Sequence, residues 1–268
     1  MNIVRHATSL VLALVIALPA LPQEKSYEVT SVKRSRITID ETYDRDASTK
    51  RAGEKLKEAE AFLAPYKHQV DSIMAPVVGH SARYMEGDRP ESLLSNLLAD
   101  ILVWAGTAYG EKPVMGLYNM GGIRATLPEG AVTYGDIVDI APFENKICFL
   151  TLSGHRLKQL FENIALVGGE GVSKGVELVI SKDRKLISAR LNGQEIDPEA
   201  NYRIATIDYL AEGNDRMEAF KYKTMLKAPQ DELNDTRFII ADYFRAMERK
   251  GIIVDAQIEG RITINEEE

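Results

Sequence analysis

Cysteine is almost missing from this chain of 268 residues: Cys148 stands alone, so no internal disulfide can form. Histidine is nearly as scarce, with His6, His68, His80 and His155 scattered along the sequence. A two-metal hydrolytic centre needs a clustered set of histidines and carboxylates, and four isolated imidazoles cannot provide one. Positive charge is not in excess either. The net charge of −7 argues against nucleic acid or an anionic membrane as the main partner, since both require clustered Lys and Arg. No internal repeat or low-complexity tract stands out, and no apolar run is long enough to span a bilayer comfortably.

What is present reads as an exported domain. Arg5 precedes the apolar run Ala7 to Ala20, which passes through Leu21-Pro22-Gln23 into charged sequence, the pattern of a secretory signal peptide over residues 1–22. No cysteine lies near the expected cleavage point, so no lipid anchor is expected there, and the apolar run is too short for a stable membrane anchor to be expected. The predicted location is outside the cytoplasm, in a periplasm. With 45% hydrophobic and 27% charged residues, the remainder has the composition of a globular protein. Residues 23–50 read either as a spacer or as an extra strand, and residues 51–268 as one domain.

Periodicity predicts the elements. Leu56, Ala59, Phe62, Leu63, Tyr66, Val70 and Ile73 recur every three or four residues, so Arg51 to Met74 is expected to be helical, kinked or split at Pro65. A second helix is expected from Ser92, its cap, through Trp104, and a third from Gly154 to Val167 with Ser153 as its cap. Strands are expected at 114–118, 147–152, 176–180, 186–191, 202–206 and 260–264, with a turn at Asn192-Gly193 and a last helix over 237–250. Helices and strands mix without regular alternation. That predicts an α+β fold, a single mixed α/β domain preceded by a helical segment.

Three stretches look selected for a site. Asn119-Met120-Gly121-Gly122-Ile123-Arg124 follows a strand, and paired glycines let backbone N–H groups approach a ligand. Arg124 can then meet a phosphate, carboxylate or ribose oxygen. Pro142-Phe143-Glu144-Asn145 sets a ring and an amide in a turn before the next strand. Asp208 to Asp215 sets Tyr209 at a strand end, followed by a glycine turn and a carboxylate. Two rings could sandwich a base, with stacking worth about 1–3 kcal/mol per base in nucleic-acid binders. Each stretch alone also reads as an ordinary turn, with Asn and Gly serving the backbone and Phe143 plugging a core. Cys148 reads as a small buried hydrophobe, and Ser153-Gly154-His155 has no base geometry for hydrolysis.

The ordered set NMGGIR, PFEN and YLAEGND, with GDRPES upstream, resembles the C-terminal, substrate-specificity domain of the periplasmic 5′-nucleotidase family, over about residues 52–264. The resemblance implies substrate-binding roles. Phe143 and Tyr209 would clamp the nucleobase, Asn145 would bond it, and Asp215 would take ribose hydroxyls. Arg124 would face ribose and phosphate, within the loop carrying Asn119, Gly121 and Gly122. Arg89, with Arg83 beside it, matches arginines opening the domain, and Gly169 or its neighbour Gly168 matches a glycine near the base. Met120 stands where the family has a third glycine or serine, Tyr209 where it has phenylalanine, and Gly213-Asn214-Asp215-Arg216 where it has Gly-Gly-Asp-Gly.

The resemblance does not extend to the family's N-terminal dimetal domain, whose Asp-x-His and Gly-Asn-His motifs are absent. No catalytic residue, cofactor or metal site is therefore expected in this chain, and divalent metals are expected only in a partner catalytic domain. The implied partners are a nucleoside or nucleotide and a separate metallophosphoesterase subunit. A stand-alone exported nucleoside-binding protein and a non-catalytic interaction domain remain open as alternatives.

Overall fold

The computed structural model describes residues 45–265, with side chains from residue 55. The expected signal peptide, and the 23–50 segment up to residue 44, lie outside the described residues. The chain divides into two units at Glu58/Ala59.

Helix α1 (Arg45–Met74) is one continuous element, so Pro65 neither ends nor splits it, although its ring removes one hydrogen bond of the helix ladder. A second departure concerns its apolar positions. Leu56, Phe62, Leu63, Tyr66, Val70 and Ile73 are all more than half exposed.

Beyond α1 come β1 (Val77–Ser81), α2 (Leu93–Ala105), β2 (Met115–Tyr118), β3 (Gly130–Thr133), α3 (Tyr134–Ile140), β4 (Ile147–Ser153), α4 (Gly154–Val167) and β5 (Gly171–Val172). They are followed by β6 (Val176–Ser181), β7 (Leu186–Leu191), β8 (Gln194–Glu195), β9 (Asn201–Ile207), α5 (Asp208–Ala211), β10 (Thr224–Lys227), α6 (Thr236–Glu248) and β11 (Ile262–Asn265). The strands form a β1–β3 pair, a five-stranded sheet ordered β10-β4-β9-β2-β5, and a four-stranded sheet ordered β11-β6-β7-β8. The fold is mixed α/β.

Local chemistry explains most boundaries. Ser92 caps α2 by accepting from the Ser95 N–H, and the Ser95 hydroxyl accepts from the Ser92 N–H in return. Thr133 and Asp136 make the same reciprocal pair at α3. Gly168 ends α4 in the left-handed conformation, where its N–H bonds back into the last turn. Ser153 occupies the cap position of α4 but makes no side-chain capping bond, which corrects the expected role of its hydroxyl. Asn192 and Gly193 both take positive φ, as a tight hairpin turn requires, but they join β7 to the two-residue β8 and not to β9.

The core lies around the five-stranded sheet. Residues Ile147 to Leu152 of β4 and Ile204 to Ile207 of β9 are buried in unbroken runs, as expected for strands covered on both faces. Cys148 has no exposure, and burial pushes its thiol pKa up to about 12, consistent with an inert core residue. Trp104 is only partly covered, packing edge-on against Tyr243 with ring centroids 5.1 Å apart.

Candidate functional site

Strand directions bring the three motif stretches together. β2 and β9 are parallel neighbours, with Met115 opposite Ile204, so the segments that follow them leave the sheet at the same end. β4 runs antiparallel to β9, with Ile147 opposite Ile207, so the segment preceding β4 arrives at that end too. Open sheets bind ligands in such a place, beyond the carboxyl ends of parallel strands. Here the segments enclose a cleft of about 420 Å³ lined by Asn119, Gly121, Gly122, Arg124, Phe143, Asn145, Tyr209 and Asp215.

Asp215 ties the floor together. One carboxylate oxygen accepts from Asn119 Nδ2 at 2.8 Å and the other from the Tyr209 hydroxyl at 3.0 Å. Each oxygen keeps a further lone pair, so the group can still accept from a ligand hydroxyl. The hydrogen bond to Asp215 raises the Tyr209 pKa, which keeps the phenol a donor. Asn119 is buried, and its Oδ1 has no protein partner. A Cβ on Gly122 would stand 2.6 Å from that oxygen, so any side chain there would displace the amide. A Cβ on Gly121 would lie 3.5 Å from the Asp215 carboxylate, inside the cleft.

The rings are more exposed than Asn119. Phe143 and Tyr209 are 41% and 40% exposed, an unusual state for two large aromatics lining the same hollow. The Arg124 guanidinium lies 5.2 Å from the Phe143 ring centre, within cation–π range, and the Arg124 N–H bonds the Ile140 carbonyl at the end of α3. Asn145 is held through its carbonyl, which accepts from the Thr236 N–H at the start of α6.

Sequence and structure differ in places here. Tyr209 lies in the one-turn helix α5 and not at a strand end. Positive φ falls on Gly213, Asp215 and Arg216, whereas Asn214 bonds the Tyr209 carbonyl through its side chain. Arg89 and Gly169 do not line the cleft. Arg89 Nε donates to the Gly169 carbonyl at 2.8 Å, and its Nη2 reaches Glu170 at 2.5 Å. The other Glu170 oxygen accepts from the Met120 N–H. Gly169 takes φ +113°, and a Cβ there would meet the Pro90 carbonyl oxygen at 2.4 Å. Arg83 pairs with Asp255 instead.

Glu170 is the residue that sequence reasoning missed. It is buried to 1% exposure, and its pKa is raised, chiefly by desolvation. It joins Arg89 to the backbone of the NMGGIR loop, so Arg89 supports the cleft through a buried carboxylate. A charged residue between glycines, in Gly168-Gly169-Glu170-Gly171, was the available signal.

A larger hollow of about 660 Å³, between α4 and the face of β7, carries mixed charges and no aromatic ring. Among the described residues, no group of three or more His, Cys, Asp and Glu is placed to hold a metal ion. No helix among them is long and apolar enough to cross a membrane.

Residues 77–222, more than half of the chain and inclusive of all eight cleft residues, match the family model described as "5'-nucleotidase, C-terminal domain". The chain belongs to the 5′-nucleotidase C-terminal domain family. It is 34% identical over 121 residues to an apyrase of Tabanus yao, covering 38% of this chain and 22% of that protein. It is 30% identical over 195 residues to endonuclease YhcR of Bacillus subtilis, covering 70% of this chain and 14% of that protein. The chain thus spans less than a quarter of either relative's length. Among solved structures, a 5′-nucleotidase precursor from Thermus thermophilus shares the fold at TM-score 0.68 and 24% identity, over 78% of this chain and 43% of that one.

Proposed function

We propose that this 5′-nucleotidase C-terminal domain binds a nucleoside or nucleotide in the 420 Å³ cleft and sets the specificity of nucleotide dephosphorylation. The supporting observation is the convergence of two exposed rings, an amide, a carboxylate and a guanidinium from three separated stretches onto one hollow. In this reading Phe143 and Tyr209 stack the base, Asn145 bonds its edge, and Asp215 accepts from ribose hydroxyls. Arg124 faces the phosphate end.

The hydrolytic step belongs, in this reading, to a separately encoded metallophosphoesterase chain outside the cytoplasm. Among the described residues no group of three or more His, Cys, Asp and Glu is placed to hold a metal ion, and the metal chemistry is assigned to that other chain. The test compares adenosine with AMP as ligands of the wild-type protein and of Arg124→Ala. AMP should lose more affinity than adenosine. Equal losses would remove the phosphate role from Arg124. Co-purification of the tagged protein with a metallophosphoesterase, and AMP hydrolysis by the pair but not by this chain alone, would support the two-chain reading. AMP turnover by this chain alone would contradict it.

A further inference from the structure

α1 is exposed on every side from Lys55 to Ile73, yet its apolar residues keep a period that a globular surface does not need. From Leu56 onward, apolar residues fall on a seven-residue repeat: Leu56, Leu63 and Val70 at its first position, and Ala59, Tyr66 and Ile73 at its fourth. This is the 3.5-residue spacing of a coiled-coil seam, narrower than the stripe by which a helix packs on a domain core. Every one of these residues is exposed.

The flanking positions fit a partner of the same sequence. In a parallel pair, the seventh position of one helix lies beside the fifth position of the following repeat in its neighbour. Lys55 then faces Glu60 of the other copy, twice by symmetry, and Phe62 covers the aliphatic stem of Lys67. The outer positions carry Lys57, Glu58, His68, Asp71 and Ser72. Pro65 also falls on the outer side, so the hydrogen bond it removes faces away from the seam. From Leu56 to Ile73 the seam runs roughly 27 Å at the rise of an α-helix.

We propose that α1 pairs with α1 of a second copy of this chain, in register and parallel, along the seam from Leu56 to Ile73. Closed twofold pairing of this kind is the commonest form of self-association. The pairing is independent of what the cleft binds.

Sedimentation velocity on the full chain over a range of concentrations tests it. A mass of two chains is expected at high concentration, falling to one chain in the Leu63→Glu/Val70→Glu double variant. Because both residues are more than half exposed, the melting temperature measured at low concentration should not move. Lys55→Glu should weaken the association by setting like charges together, and Lys55→Glu/Glu60→Lys should restore it. Mild oxidation should cross-link Tyr66→Cys through the seam faster than His68→Cys on the outer side. A single-chain mass at every concentration would overturn the proposal. So would association that the double variant leaves intact, equal cross-linking at both positions, or pairing only with an added metallophosphoesterase chain.

Discussion

Helices α1 and α2 carry apolar residues at similar spacing and meet opposite fates. In α2, Leu94, Leu97, Leu98, Ile101 and Leu102 are at most 3% exposed; in α1, Leu56 and Phe62 are 61% and 69% exposed. The difference lies outside the apolar pattern itself. α2 starts at a reciprocal serine cap and lies against β2, where Gly116 leaves so little room that a Cβ would sit 2.3 Å from the Ala99 carbonyl oxygen. α1 alternates its seam with Lys and Glu, and no described strand lies along that face. Periodicity shows that a face is apolar; what covers the face is decided by the neighbouring chain.

The contrast can be broken most severely at the contact between α2 and β2. Gly116→Ala must push the helix off the strand, and the expected loss is about 3 kcal/mol or more, read by chemical denaturation. Leu98→Ala should cost about 2–5 kcal/mol by leaving a cavity in the core. Leu63→Ala in α1, measured at low concentration, should stay within about 0.5 kcal/mol. A loss at Leu63 matching that at Leu98 would mean that the α1 face is covered within a single chain.

The cleft extends the contrast to exposed rings. Tyr209→Ala should weaken nucleoside binding by about 1–3 kcal/mol while leaving the melting temperature nearly unchanged, because the ring stands 40% exposed. The smallest expected effect is on pH dependence, at Glu170. Its folded pKa is raised, so between the unfolded and folded pKa values the folded state holds a proton that the unfolded chain has already released. Its contribution to stability should therefore fall as pH rises from the ordinary carboxylate range through its raised pKa. Glu170→Gln should flatten that part of the melting-temperature profile.

Much of this is legible in the sequence. The serine cap of α2, the buried runs of β2 and β4, and the glycine end of α4 each follow from a local pattern, and each appears in the structure. All eight cleft residues fall within the three motif stretches, and it is the ordered set of motifs, not any one turn, that sets them apart from ordinary turn residues. Arg89 and Gly169 point by motif to the same pocket, yet neither lines it: the Arg89 guanidinium is turned to the Gly169 carbonyl and Glu170, and motif order does not show which way a side chain faces. Glu170 escapes notice because its partners, Arg89 and the Met120 N–H, stand far from it in sequence. The apolar positions of α1 read like those of a packed helix and prove exposed, since period alone cannot distinguish a core from a seam.

Calorimetric titration of adenosine and AMP into the wild-type chain and into Phe143→Ala tests the central claim most directly. Phe143 is 41% exposed, so its loss should leave the fold intact. Saturable binding to the wild type, weakened by about tenfold or more in the variant with an unchanged melting temperature, is the expected result. Equal binding by both proteins, or none by either across a panel of bases, would contradict a nucleobase clamp in this cleft.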